Sequence, residues 1–253
     1  MRRPGHVDYE RVRLFAVPVT IVAGLLLAYL FNSRISGTAN DDAVLNSDFL
    51  LTKLSEHLYL SGVSFVLAAV IGVGLGLLIA GAGRALRGLV FLLANLGQAV
   101  PGIGILFLLY AFLGLGAEPT IIALVAYGTL PVLRNTVAGV QGVDPAAVEA
   151  ARGMGMTTLQ ALLRVQLPLA SPLIFAGLRT SLVLIIGTAT LGSFIGGGGL
   201  GVVISSGITI SNRIIFVGAI MVTALALLAD WALSLVERVT VPTRMHLMER
   251  RPR

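Results

Sequence analysis

Side chains able to do chemistry are sparse in this chain, and their spacing argues against most kinds of it. There is no cysteine, so a disulfide, a thiol nucleophile and an iron–sulfur cluster are all excluded. The three histidines, His6, His57 and His246, fall near chain ends or the ends of apolar runs. None forms a ligand pair at helical spacing, so no bound metal is expected. The same placement leaves an intramembrane protease without a serine–histidine dyad at membrane depth. The stretch GSFIGGGGLG, residues 192–201, contains Gly196, Gly197, Gly198 and Gly199 and offers backbone N–H groups as a phosphate loop would. It lacks a following Lys-Ser/Thr pair and a strand–loop–helix setting, which argues for a hinge or re-entrant turn instead of a nucleotide site. Two charges, Arg179 and Asp230, fall within apolar runs. An unpaired charge in lipid is expensive, so a buried ion pair is expected, with proton or ion coupling as the alternative.

The elements that must carry these residues are apolar helices. Of the 253 residues, 56% are hydrophobic and only 12% charged, against about 25% charged in soluble domains; the mean hydropathy is +0.93. The apolar residues come in runs: Leu14–Phe31, Leu58–Ala80, Gly88–Leu113, Pro119–Leu133, Leu173–Ile195 and Ile214–Val236. The first run, at ~1.5 Å per residue, makes roughly 27 Å of helix. No small-residue cleavage site follows it, so it reads as an uncleaved span. Six transmembrane helices are expected, and the basic residues orient them. With the N-terminus cytoplasmic, Arg2, Arg3, Arg11, Arg13, Arg84, Arg87, Arg134, Arg152, Arg164 and the arginines of the tail all lie inside. Only Arg34, Lys53 and Arg213 lie outside, so the fold class is an all-α integral membrane protein with both termini cytoplasmic. The net charge of +6 is then an orientation and lipid signal, and the tail RMHLMERRPR an anchor; no nucleic acid is expected.

Irregular spans point to a pathway. The third run contains GQAVPGIG, with Pro101 among Gly97, Gly102 and Gly104. Proline removes a backbone donor, and lipid tolerates the break only where protein or a water-filled cavity satisfies the freed carbonyl. A transport path and a packing kink both fit. Gly72, Gly74 and Gly76, with Gly62 earlier in the same span, suit close helix contact.

One segment is too polar to span and too regular to idle: DPAAVEAARGMGMTTLQALLRVQLP, which we take as the loop 144–168. Asp144 and Pro145 form an N-cap and first helical residue, and Gly155 is placed for a left-handed end. Thr157 and Gln160 have the capping-box spacing for a second helix. Leu159, Leu162, Leu163 and Leu167 make an apolar stripe, and Pro168 and Pro172 are expected to stop or redirect the chain. The result is a helix–glycine–helix on the cytoplasmic face that presents Glu149 and Arg152, either as an interfacial hairpin or as a docking element.

Glu149-Ala150-Ala151, three residues, Gly155, nine residues, then Val165-Gln166-Leu167-Pro168 resembles the EAA signature of permease subunits of binding-protein-dependent ABC importers, with valine in place of isoleucine. LPVLRNTVAGVQGVDPAAVEAARGMGMT and RTSLVLIIGTATLGSFIGGGGLG are similar to the osmoprotectant branch, which imports glycine betaine, choline or carnitine. The resemblance covers roughly residues 50–236 and implies a type I (MetI-like) permease fold in the cytoplasmic membrane of a prokaryote. Residues 50–236 form its core, preceded by the first span and an extracytoplasmic loop (1–49) and followed by the basic tail (237–253). It implies that the loop's helix sits in a groove of the ATPase, with Glu149, Ala150, Ala151, Arg152, Gly155, Leu167 and Pro168 as coupling residues. The implied partners are two ATP-binding cassette subunits that hold ATP-Mg, a second permease copy (identical or sibling), an extracytoplasmic solute-binding protein and membrane lipid. The resemblance implies that this chain itself binds no cofactor and catalyses nothing. Its aromatic content is low, at 6% with one tryptophan, and shows no cage for a quaternary ammonium. Substrate choice is therefore expected mainly in the binding protein, for which the acidic segment 32–57 is a docking place or else an ordinary solvated loop. An ion-coupled secondary transporter and a transport-inactive scaffold are the competing classes.

Overall fold

A computed structural model of the protein describes residues 18–24, 26 and 39–240. The elements, in chain order, are α1 (Ala39–Val44), α2 (Ser47–Ala80), α3 (Arg84–Ala99), α4 (Gly102–Leu113), α5 (Ala117–Gln141), α6 (Pro145–Gly153) and α7 (Thr158–Ala161). A π turn (Leu162–Gln166), α8 (Leu167–Ala189), a 3-10 turn (Thr190–Ile195), α9 (Leu200–Thr209) and α10 (Asn212–Thr240) complete them. Among the described residues every regular element is helical.

Four helical segments are long and apolar enough to cross a membrane: Ser47–Ala80, Ala117–Gln141, Thr158–Ile195 and Asn212–Thr240. The expected span Gly88–Leu113 is divided between α3 and α4. Most of Leu14–Phe31 lies outside the described residues, as do His6, His246, the N-terminal arginines and the tail from residue 241 onward. The short run Pro119–Leu133 is a 25-residue helix. Its hydropathy is interrupted at Arg134, but its backbone continues to Gln141, because Val137 and Val140 are still buried in the core.

α5 sits at the centre, packed between α2 and α8. Leu60, Ala68, Leu124, Ile185 and Ala189 form the core where the three meet. The α2–α5 seam is close because α2 carries glycine where α5 presents a side chain: a Cβ on Gly72 would lie 2.6 Å from the Val132 Cβ. α10 joins through α8 and α9 and fully buries only Ile214 and Gly218.

Two expectations are corrected. Pro168 and Pro172 do not stop the chain. The π turn inserts ahead of Pro168, and the carbonyl of Pro168, which Pro172 leaves without its helical donor, accepts from the Ser171 hydroxyl at 2.6 Å. Within the segment 32–57, whose residues 32–38 lie outside the described ones, residues 39–44 and 47–57 are helical instead of a free loop. Asp41 is buried there and accepts from the Ser211 hydroxyl.

Candidate functional site

The polar segment folds as its local chemistry dictates. Asp144 Oδ1 accepts from the Ala146 N–H at 2.9 Å, and Pro145 opens α6. α6 ends at Gly153 and the chain turns at Gly155, whose φ of +85° lies in the left-handed region that glycine enters without a Cβ penalty. The N–H groups of Gly155 and Met156 then close onto the carbonyls of Arg152 and Ala151. Thr157 and Gln160 complete a reciprocal capping box, so α7 begins at Thr158, directly after the bend. Glu149, Ala150 and Arg152 are exposed on one side of this hairpin, while Ala151 is buried against its own chain. The expected apolar stripe divides. Leu162 and Leu167 pack onto Ala80, Val140, Ala170 and Ile174, whereas Leu159 and Leu163 are exposed, as is Met154. An acid, a base and three apolar side chains thus project from a short element joined rigidly to α5 and α8.

The interruption at Pro101 separates α3 from α4, and its surroundings satisfy the backbone. The Val100 carbonyl accepts from the Tyr127 hydroxyl of α5 at 2.9 Å, and the N–H groups of Gly104 and Ile105 turn to the Pro101 carbonyl. Gly102 faces Thr188, Tyr127 and Leu191, while Gly97 lies within α3 one turn before the break. Nearer the other end of α5, Arg134 donates to Asn95 Oδ1 of α3. Arg134, counted above with the cytoplasmic charges, therefore lies within a membrane-length helix, seven residues before its last residue.

The glycine loop is held by residues that the sequence does not mark. Gly196, Gly198 and Gly199 have φ of +73°, +84° and +78°. Glu56 Oε2 accepts from the Gly199 N–H at 2.8 Å, and the same carboxylate pairs with Lys53 at 2.8 Å. His57, fully buried, bridges the loop and α8: its Nε2–H donates to the Ile186 carbonyl and Nδ1 accepts from the Leu200 N–H. A carbonyl only accepts and an amide only donates, so these partners place the imidazole proton on Nε2. The Gly197 N–H is also taken, by the Gly192 carbonyl. The loop's donors thus serve the fold rather than a phosphate. No periodicity joins residue 56 to residue 199, and sequence reasoning had no signal for this contact.

Arg179 and Asp230 meet. Nε and one terminal nitrogen of the guanidinium donate to the two carboxylate oxygens, each at 2.7 Å, in the bidentate geometry arginine favours. Glu237 stands 3.8 Å away on the other side. The pair fastens α8 to α10 and borders a cleft with Ala176, Thr180 and Val183. Among the described residues no three His, Asp or Glu side chains converge as metal ligands.

Comparison with known proteins agrees with this arrangement. The family model described as "Binding-protein-dependent transport system inner membrane component" matches residues 72–240. The chain is 40% identical over 205 residues to the glycine betaine/carnitine/choline transport system permease protein OpuCB of Bacillus subtilis, covering 81% of this chain and 94% of that one. It is 36% identical over 203 residues to the osmoprotectant import permease protein OsmW of Salmonella typhimurium, covering 78% and 94%. In fold it matches the inward-facing MetNI methionine ABC transporter with a TM-score of 0.68 at 22% identity, over 76% of this chain and 96% of that one. An amino acid ABC transporter solved with histidines matches at 0.62 and 21%, over 80% and 99%. The helical order, the hairpin between α5 and α8, and these matches together place the chain in the family of binding-protein-dependent transport system inner membrane components, as a multi-pass membrane protein with the MetI-like permease fold.

Proposed function

We propose that this chain forms the translocation pathway of an ATP-driven importer for an osmoprotectant bearing a quaternary ammonium group, and that the 144–168 hairpin couples it to a separate ATPase. The observation that carries the coupling is the hairpin's construction: both helices are capped, the bend is a left-handed glycine, and both flanks continue into core helices. A short rigid body of this kind transmits displacement, whereas a floppy loop would absorb it. Glu149 and Arg152 supply charge for a groove in the partner, and Met154, Leu159 and Leu163 supply apolar contact. ATP-Mg is held by two such partners, which close and open with the nucleotide. Differential contact with the two states shifts this chain between inward- and outward-facing forms. A second permease copy completes the pathway, and an extracytoplasmic binding protein delivers the solute. Six spans with both termini cytoplasmic complete the reading.

The test is ATP-dependent uptake of glycine betaine by the assembled transporter in liposomes, with Glu149→Lys and Gly155→Val as variants. Both variants should assemble, bind the ATPase less tightly and separate ATP hydrolysis from uptake. Uptake that proceeds without ATP and collapses with an ion gradient would instead establish a secondary transporter.

A further inference from the structure

Of the arginines inside membrane-length helices, Arg179 is neutralised within the structure and Arg134 is not. Arg179 has Asp230 and Glu237. Arg134 has no carboxylate at ion-pair distance among the described residues; its partner is the neutral Asn95 side chain, and it remains exposed. A guanidinium facing hydrocarbon is costly, and such residues face water-filled cavities or the bundle interior and mark substrate pathways. Arg134 is seven residues from the end of α5, roughly 10 Å along the axis.

A second, independent feature lies on the same face. Tyr127 precedes Arg134 by seven residues, two helical turns, and its hydroxyl closes the Val100 carbonyl at the break. α4 begins there with Pro101 at its N-cap and no side-chain cap. The positive end of a 12-residue helix therefore opens at the same break. The guanidinium, two turns along α5 from the tyrosine that closes the break, favours a carboxylate.

We propose that Asn95, Arg134 and the break closed by Tyr127 line the solute's passage, and that the Arg134 guanidinium takes the carboxylate of a zwitterionic solute as it passes. This rests on the importer reading above. Glycine betaine and carnitine carry such a carboxylate and choline does not, so the contact separates solutes by their anionic end while leaving the ammonium end to the binding protein. A phospholipid phosphate could supply the same chemistry from the membrane, and the experiment distinguishes the two sources.

The assembled transporter, with its ATPase and binding protein, is reconstituted in liposomes. Arg134→Gln should reduce ATP-driven glycine betaine uptake about tenfold or more, as expected for a lost charged hydrogen bond. Arg134→Lys should lose less, and choline uptake, where the wild type shows it, should stay within about twofold because choline has no carboxylate for that charged bond and only a neutral hydroxyl. Because the chain has no cysteine, Asn95→Cys gives a unique thiol with Arg134 retained. That thiol should react with a membrane-impermeant thiosulfonate, and glycine betaine should slow the reaction. Glycine betaine uptake in Arg134→Gln within about twofold of wild type would overturn the assignment. So would labelling of Asn95→Cys by a lipid-soluble maleimide alone, which would place the guanidinium against lipid phosphate. If Arg134→Gln does not assemble, Arg134→Lys and the thiol decide. If the wild type takes up neither solute with ATP, the solute class above fails and the carboxylate contact with it, while the thiol still reports whether the passage runs past Asn95.

Discussion

Replacing Gly72 by alanine tests the α2–α5 seam that holds the bundle together. The added Cβ would fall 2.6 Å from the Val132 Cβ, 2.8 Å from its Cγ1 and 3.0 Å from the Thr129 carbonyl oxygen. Carbon atoms rest at about 3.5–4.0 Å, so the two helices must part by roughly 1 Å at this level. Overpacking of this kind costs about 1–3 kcal/mol, and alanine's better helix propensity offsets up to about 1 kcal/mol of it. The expected net loss is about 1–2 kcal/mol. Gly76 meets the Thr136 Cβ in the same way at 2.6 Å, whereas Gly74 has nothing within 4 Å. Gly74→Ala is therefore the internal control, neutral or stabilising by up to about 1 kcal/mol. Thermal unfolding of the purified transporter in a single detergent should rank Gly74→Ala at or above wild type and the other two below it. The Gly72→Ala/Gly76→Ala double variant should lose less than the sum, because one separation relieves both contacts. Val132→Ala should not rescue Gly72→Ala, since the atom met first is the Cβ that alanine keeps. Equal losses at positions 72 and 74 would refute the argument and leave glycine's role to the backbone alone.

The ion pair gives a second expectation. Arg179 and Asp230 are about one-fifth exposed (19% and 20%), so removing either partner, as in Arg179→Gln, should cost about 1–3 kcal/mol, below the figure for a fully buried pair. Reversing both charges together should recover at least half of what either single reversal loses in the same unfolding assay, and no recovery would remove the pairing. At Gly155, Gly155→Asn should keep coupled uptake, because asparagine tolerates a positive φ, while Gly155→Val should lose it at a conformational cost of about 1–2 kcal/mol. Thr157→Ala removes one arm of the capping box and should cost about 0.5–2 kcal/mol, read as faster amide exchange confined to the start of α7.

What the sequence discloses here follows the range over which each interaction acts. Asp144 to Ala146, Gly155, and Thr157 to Gln160 are contacts between residues two or three apart, so residue type and spacing already contain the hairpin. Glu56 to Gly199 and His57 to Leu200 join positions 143 residues apart through a backbone N–H that any residue but proline would supply. No pattern in one dimension marks them. Arg179 and Asp230, 51 residues apart, are the instructive exception: low dielectric makes an isolated charge so costly that the presence of one predicts the other. Arg134 shows the limit of that inference. A hydropathy reading ends the fourth span at the arginine and assigns its charge to the cytoplasm, because such a reading assumes that everything beside a helix is lipid. The helix continues because Val137 and Val140 on one of its faces are buried in the core, while Arg134 stands exposed on another. At that face an exposed charge marks what the helix was built to meet, and no longer where it stops.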